Sequence, residues 1–186
     1  MKKTPNPQGK GLVPVLAALN DARYQIRVPP KHIAQISSEL FTSLFVLESR
    51  FSFKPVVGQS YYLYRKANAY QLSLLAPPQW SPLVYGQFIG RCDLQEDLTW
   101  TLDLAEAASA DDQLMAAIRD RRAAFESALQ QAEQVEDLLP VFQEQLPFYQ
   151  RVFAAALAGS LDSSMRQSGI KGLNYAQAMG LLAVKK

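Results

Sequence analysis

The sequence predicts an α+β fold. A small antiparallel β-meander of about four strands, either open or closed like a barrel, packs with an N-terminal helix and a C-terminal set of three to four helices. Three observations carry this expectation. Apolar residues recur every three or four positions between Lys31 and Ser49, the period falls to two between Phe51 and Glu106, and helical spacing returns after Ser109. A chain of 186 residues with 48% hydrophobic and 19% charged residues can form a real core. At this length folding buries about 70% of the surface of the unfolded chain. The whole, 1–186, reads as a single domain in four regions.

Residues 1–30 read as an extended arm. Pro5, Pro7, Gly9, Gly11 and Pro14 break any sustained period, and Pro29-Pro30 closes the segment. Residues 31–50 read as a helix. Ile33, Ile36, Leu40, Leu44 and Leu47 form its stripe, widened by Phe41 and Phe45. Pro30 suits the first turn, where its missing N–H has no helical partner. His32 then sits exposed at the helix start.

Residues 51–106 read as the meander. Tyr61 to Arg65 is one strand, and Lys66 to Asn68 is a turn. In the second strand, Tyr70, Leu72 and Leu74 alternate with Gln71, Ser73 and Leu75. Phe88, Gly90, Cys92 and Leu94 alternate with Ile89, Arg91 and Asp93, which puts Phe88, Cys92 and Leu94 on one core face. Trp100, Leu102 and Leu104 make the last strand. Between strands two and three, Pro77, Pro78 and Pro82 flank Trp80, so 76–84 is expected to be a rigid loop.

Residues 107–186 read as helical. Ser109-Ala110-Asp111-Asp112 resembles a capping box before the spacing of Leu114, Ile118, Phe125 and Leu129. Pro140 and Pro147 each mark a place for a new helix to start. Tyr149, Phe153, Leu157, Leu161 and Met165 recur every four residues, with Gly169 as C-terminal cap. A last short helix spans about Asn174 to Ala183.

Composition narrows the function classes. The net charge of +2 argues against a dedicated nucleic-acid binder. Cys92 is the only cysteine and His32 the only histidine, too few for a structural zinc site, which needs about four N or S ligands. No metal and no cofactor are expected. No run approaches the about 20 apolar residues of a membrane span. The short apolar stretch Leu12 to Leu19 is interrupted by Pro14 and lacks a cleavage site, so export is not expected and a cytoplasmic location is.

No catalytic motif stands out. Gly9-Lys10-Gly11 lacks the spacing and flanking strand of a phosphate loop. Cys92 falls on the core face and His32 on the surface, so they do not form a nucleophile–base pair. Glu96, Asp97, Asp103 and Glu106 read as solvated carboxylates at a turn and a strand end. Arg119, Arg121 and Arg122 read as a solvated, acid-paired helix face. An anion contact at Arg119 and Arg122 is the alternative.

The aromatic content of the meander is the most informative feature. Tyr61 shares a strand face with Leu63, and Tyr62 shares the opposite face with Tyr64. If helices cover one face only, one of these pairs faces outward. The candidate binding face is Tyr62, Tyr64, Trp80, Tyr85 and Trp100, since such residues grip peptides or stack bases on small sheets. Helices covering both faces would instead make them core.

The segments FSFKPVVGQSYYLYR (51–65), LSLLAPPQW (72–80) and FIGRCDLQEDLTWTL (88–102) together resemble an uncharacterised conserved bacterial family of unknown function. Its members pair an F-x-P-V-x-G-x-x-Y-x-L-Y-like stretch with an L-S-L-x-x-P-x-x-W-like stretch and a late T-W. NPQGKGLVPVL (6–16) is similar to the opening of its members. The resemblance implies one structural unit across the helix–meander junction, and no activity, cofactor or catalytic residue. The expectation is therefore a cytoplasmic protein-interaction or binding domain without catalysis, with a protein or peptide as the expected partner and homo-oligomers left open. The alternative is a small-molecule binder or enzyme with its site between meander and C-terminal helices. Nucleic-acid binding, through Lys2, Lys3, Lys10, Lys185 and Lys186 converging with the arginines, is the third reading.

Overall fold

The computed structural model describes residues 28–79, 81–141 and 143–184. The extended arm expected over 1–30 therefore lies almost wholly outside the described residues, as does Trp80. Helix α1 spans Ile33–Leu47. Its N-cap is His32, whose Nδ1 accepts a hydrogen bond from the Gln35 N–H at 3.1 Å. This satisfies one of the orphan donors of the first turn. Pro30 thus precedes the cap instead of entering the first turn. Ile33, Ile36, Leu40 and Leu47 are buried along one side of the helix, and Phe45 and Val46 near its end are buried as well.

Strands β1 (Ser60–Lys66), β2 (Ala69–Ser73), β3 (Gln87–Leu94) and β4 (Trp100–Leu104) form one antiparallel sheet that stays open. The fold class is as expected, but the order is β2-β1-β3-β4. The hairpin β1–β2 places β1 in the middle, so the chain must cross from the β2 edge past β1 to begin β3. Residues 74–86 make that crossing. They hold a 3-10 turn at Pro77–Gln79 and a one-turn helix, α2, at Pro82–Tyr85. The β2 edge is covered by Arg50, whose N–H donates to Tyr70 O at 2.9 Å and whose carbonyl accepts from the Leu72 N–H at 3.0 Å. Covered edges resist pairing with other chains.

One feature of β3 corrects the sequence reading. Leu63 pairs with Gly90, but the next residue, Tyr64, pairs with Phe88. Ile89 is the extra residue of a β-bulge, and a one-residue slip moves the side chains beyond it to the other face. Cys92 and Leu94 lie in the core as expected, whereas Phe88 leaves their face and joins Tyr62 and Tyr64. Ile89 is fully buried in its stead. Gly90 allows this close approach, because a Cβ there would overlap the Asp103 carbonyl oxygen.

The remaining helices are α3 (Glu106–Ser109), α4 (Asp112–Gln131), α5 (Phe148–Ser168) and α6 (Tyr175–Val184). The cap of α4 is Asp111, whose Oδ1 accepts from the Leu114 N–H at 2.9 Å. Ser109 instead ends α3, so the expected box is displaced by two residues. No helix starts at Pro140; a 3-10 turn at Val135–Leu138 precedes it. Pro147 does introduce α5, and Gly169 ends it with φ of +72°. The core lies between the inner sheet face (Tyr61, Leu63, Cys92, Leu94, Trp100) and the helices, chiefly α1 and α5 with Phe153, Leu157, Leu161 and Met165.

Candidate functional site

The outer face of the sheet carries the aromatic cluster. Alternation points Tyr62 and Tyr64 away from the core, and the bulge adds Phe88. The Phe88 ring lies 6.3 Å from Tyr62 and 5.5 Å from Tyr64, and Tyr85 of α2 lies 6.4 Å from Tyr64. Of the five expected aromatics, the structure brings together Tyr62, Tyr64 and Tyr85. Trp100 is on the opposite face, 1% exposed and edge-on to Tyr61 at 5.6 Å. It is core, and its backbone N–H donates to Ser43 Oγ of α1 at 2.9 Å. The face packed against α1 buries the indole, which removes Trp100 from the candidate binding face.

Tyr64 is only 3% exposed although it faces outward. The crossover loop folds back over it, and its hydroxyl donates to Leu75 O at 2.8 Å. Burial, and then the neighbouring Tyr62, raises the Tyr64 pKa above its ordinary value. Tyr62 and Tyr85 are half-buried. The aromatics therefore act largely as a floor. What stands above them is aliphatic: Leu74 and Leu75 are 56% and 42% exposed, Val84 53% and Leu83 90%. Leu83 and Val84 carry no periodic signal, whereas Leu74 and Leu75, expected to continue the alternation of the second strand, lie past its end at Ser73. The sequence clue was their placement as apolar pairs beside prolines.

The loop is fastened along its length. Beyond the Tyr64 bond, Ala76 N–H donates to Gln79 Oε1 at 3.1 Å, and the exposed Lys66 Nζ donates to Val84 O at 3.1 Å. Gly86, at φ +81°, lies so close to the Arg65 carbonyl that no Cβ fits. Nearby, Arg65 donates to Gln87 Oε1 at 3.0 Å and to Asp111 Oδ2 at 3.1 Å, tying β1 to the α4 cap. The Leu114 N–H, then Gln87, hold the Asp111 carboxyl below its usual range.

The arginines of α4 make no shared site. Arg122 donates to Glu126 Oε1 at 3.1 Å and lies 5.3 Å over the Phe41 ring. Arg121 pairs with Glu48 and lies 5.1 Å over Phe45. Both lie over aromatic rings of α1 in cation–π contact. Arg119 is exposed.

A second feature lies at the other end of the sheet. A groove of about 1230 Å³ is lined by Pro29, Lys31, Glu39, Asp93, Glu96 and Asp97, among others. Lys31 is buried at 4% exposure and donates to both Glu39 Oε2 and Asp97 Oδ2. Burial works to lower its pKa, but the bonds to Asp97 and Glu39 outweigh it and raise the pKa. Burial likewise works against the Asp97 charge, yet Lys31 and Thr99 hold that carboxyl below its ordinary value. Ser160 Oγ donates to the Asp97 carbonyl and Ser164 Oγ to the Pro29 carbonyl, so α5 supports the cluster. Among the described residues no group of His, Cys, Asp or Glu is arranged to hold a metal ion. Cys92 is fully buried, and burial pushes its thiol far above the ordinary range.

A family model for a protein of unknown function (DUF2452) matches residues 23–120, just over half of the chain. The chain belongs to that family. The match runs from before α1, through the sheet and crossover loop, into α4, so it takes in the aromatic floor, the aliphatic loop, Lys31 and Asp97. Arg122, α5 and α6 lie beyond it. No curated protein and no solved structure matches the chain. Among the described residues no helix is long and apolar enough to cross a membrane.

Proposed function

We propose that the chain is a cytoplasmic protein-interaction domain without catalytic activity, whose docking surface is the crossover loop above the outer sheet face. One observation carries this reading. Leu74, Leu75, Leu83 and Val84 are all exposed on one loop fastened to the sheet beneath. Scattered exposed aliphatics are ordinary, but four on one fastened loop suit an interaction surface. Tyr62 and Tyr85 border it and supply the amphipathic contacts common at interfaces.

The test is affinity capture with the full chain, comparing wild type with the Leu75→Asp/Leu83→Asp variant and with Glu96→Lys. A partner retained by wild type and Glu96→Lys but lost by the loop variant supports the reading. A partner lost only with Glu96→Lys contradicts it.

The groove beside Lys31 favours a second reading, a small-molecule binder or enzyme. Four carboxylates (Glu39, Asp93, Glu96, Asp97) against one ammonium would suit a cationic ligand. Because Lys31, Glu39 and Asp97 are bonded to one another, the first reading is preferred.

A further inference from the structure

We infer that the chain fills the acidic groove beside Lys31 itself: residues 23–27, RYQIR, dock along it and set Arg23 and Arg27 against the carboxylates of its wall. The inference is independent of the docking loop, and it gives the groove an occupant other than an external ligand.

Connectivity is the first argument. Val28 is buried at 5% exposure, Pro29 and Lys31 both line the groove, and Ser164 Oγ of α5 donates to the Pro29 carbonyl at 2.8 Å. The segment ahead of Val28 is therefore delivered to the groove wall by a fixed stretch of chain. Five residues span at most about 18 Å, so Arg23 and Arg27 stay within that distance of Val28 on any path. Docking of a segment tethered this closely is intramolecular, and a weak contact is enough to hold it. The family model begins at residue 23, so it takes in RYQIR together with Lys31, Glu39, Glu96 and Asp97 and leaves out 1–22.

Charge is the second argument. Residues 1–27 hold five of the 19 basic residues (Lys2, Lys3, Lys10, Arg23, Arg27) and one of the 17 acidic ones (Asp21), so they carry +4 and the rest of the chain −2. RYQIR itself has two arginines and no acid. In the groove wall, Lys31 answers Glu39 and Asp97, and Arg91 lies 3.3 Å from Asp93. Glu96 is exposed, and among the described residues its carboxylate meets no cation. An arginine fork suits such a carboxylate.

Shape is the third. At about 1230 Å³ the groove exceeds the roughly 300–1,000 Å³ of small-molecule pockets, and it suits a length of chain. Tyr24, Ile26 and Val28 alternate with Arg23, Gln25 and Arg27. In an extended segment this puts both arginines on the side opposite the buried Val28.

The experiment is amide hydrogen exchange by mass spectrometry on the full chain, comparing wild type, Glu96→Lys, Arg27→Glu and the double variant, with β1 and β3 as internal measures of folding. The expected result is that amides 24–28 of wild type exchange about tenfold or more slower than in the free peptide of the same sequence. Glu96→Lys, Arg27→Glu or about 1 M salt should each speed them about fivefold or more with β1 and β3 unchanged, and the double variant should recover protection that each single loses. Free-peptide rates at 24–28 in wild type overturn the inference. Protection that ignores Glu96→Lys and salt, or that the double variant does not recover, overturns it as well, because the segment then packs elsewhere. Protection that fades on dilution assigns the groove to a second copy of the chain and also overturns it. If a single variant speeds exchange in β1 and β3 too, the salt arm on wild type decides by the same criterion.

Discussion

Replacing Lys31 with Met removes the cation that holds α1 to the β3–β4 turn. Lys31 is 4% exposed, while Glu39 and Asp97 are 24% and 17% exposed. Breaking a fully buried ion pair costs about 3–5 kcal/mol, because the orphaned charge stays buried. Here partial solvation of both carboxylates reduces that to about 2–3 kcal/mol. For a chain of this size, each kcal/mol moves Tm by about 2–4 °C, so the expected drop is about 5–10 °C at pH 7. The assay is urea denaturation of wild type, Lys31→Met, Asp97→Asn and the double variant. The double should be less destabilised than the sum of the singles by about 1–2 kcal/mol. The pH dependence has a definite sign. The folded pKa of Asp97 is depressed, so its contribution is present above the unfolded value of about 4 and is lost as pH falls through the folded value. The folded pKa of Lys31 is raised, so its contribution is present below about 10.4 and is lost as pH rises through the folded value. The gap between wild type and Lys31→Met should thus be a plateau from about pH 5 to 10, narrowing on both sides. A gap under about 0.5 kcal/mol, or one that widens below pH 4, refutes the reasoning.

Three further outcomes are expected. Cys92 should resist Ellman's reagent in the native protein and react only at the rate of unfolding, since its thiol is buried and protonated; fast native labelling would contradict this. Gly90→Ala should cost about 3 kcal/mol or more by denaturation, because its Cβ meets the Asp103 backbone, which cannot move without breaking the β3–β4 pairing. Tyr64→Phe should cost only about 1 kcal/mol in global stability, the worth of one hydrogen bond. The same change should speed amide exchange selectively in 74–86, and unchanged exchange there would mean that the Leu75 bond does not fasten the loop.

Much of the fold was legible because periodicity reports which residues share a face. The α1 stripe, all four strands and the spacing of α5 follow from it directly. Period alone cannot say which face is covered, nor reveal an inserted residue. Ile89 breaks the alternation of β3 invisibly, since Phe88, Gly90, Cys92 and Leu94 look regular on paper. Gly90 was the one available hint, as glycine within a strand often marks a bulge. The same limit governs the site. Tyr62 and Tyr64 were rightly placed on one face, but the burial of Tyr64 depends on a loop that folds back ten residues later. Trp100 was placed with the binding aromatics because strand β4 alone does not say that its tryptophan turns toward α1. His32 looked like an isolated surface residue because imidazole is an uncommon N-cap, though its nitrogen accepts as a cap must. The Lys31 cluster joins residues 66 apart in the chain, and no local pattern encodes such a meeting.

The central claim is that the exposed aliphatic loop, and not the acidic groove, makes the functional contact. Calorimetric titration of the captured partner against wild type, Leu83→Asp and Glu96→Lys tests it most directly. The account predicts that Leu83→Asp weakens binding at least about tenfold while leaving the Tm near that of wild type, and that Glu96→Lys binds like wild type. Unchanged affinity for Leu83→Asp, together with lost affinity for Glu96→Lys, would contradict it.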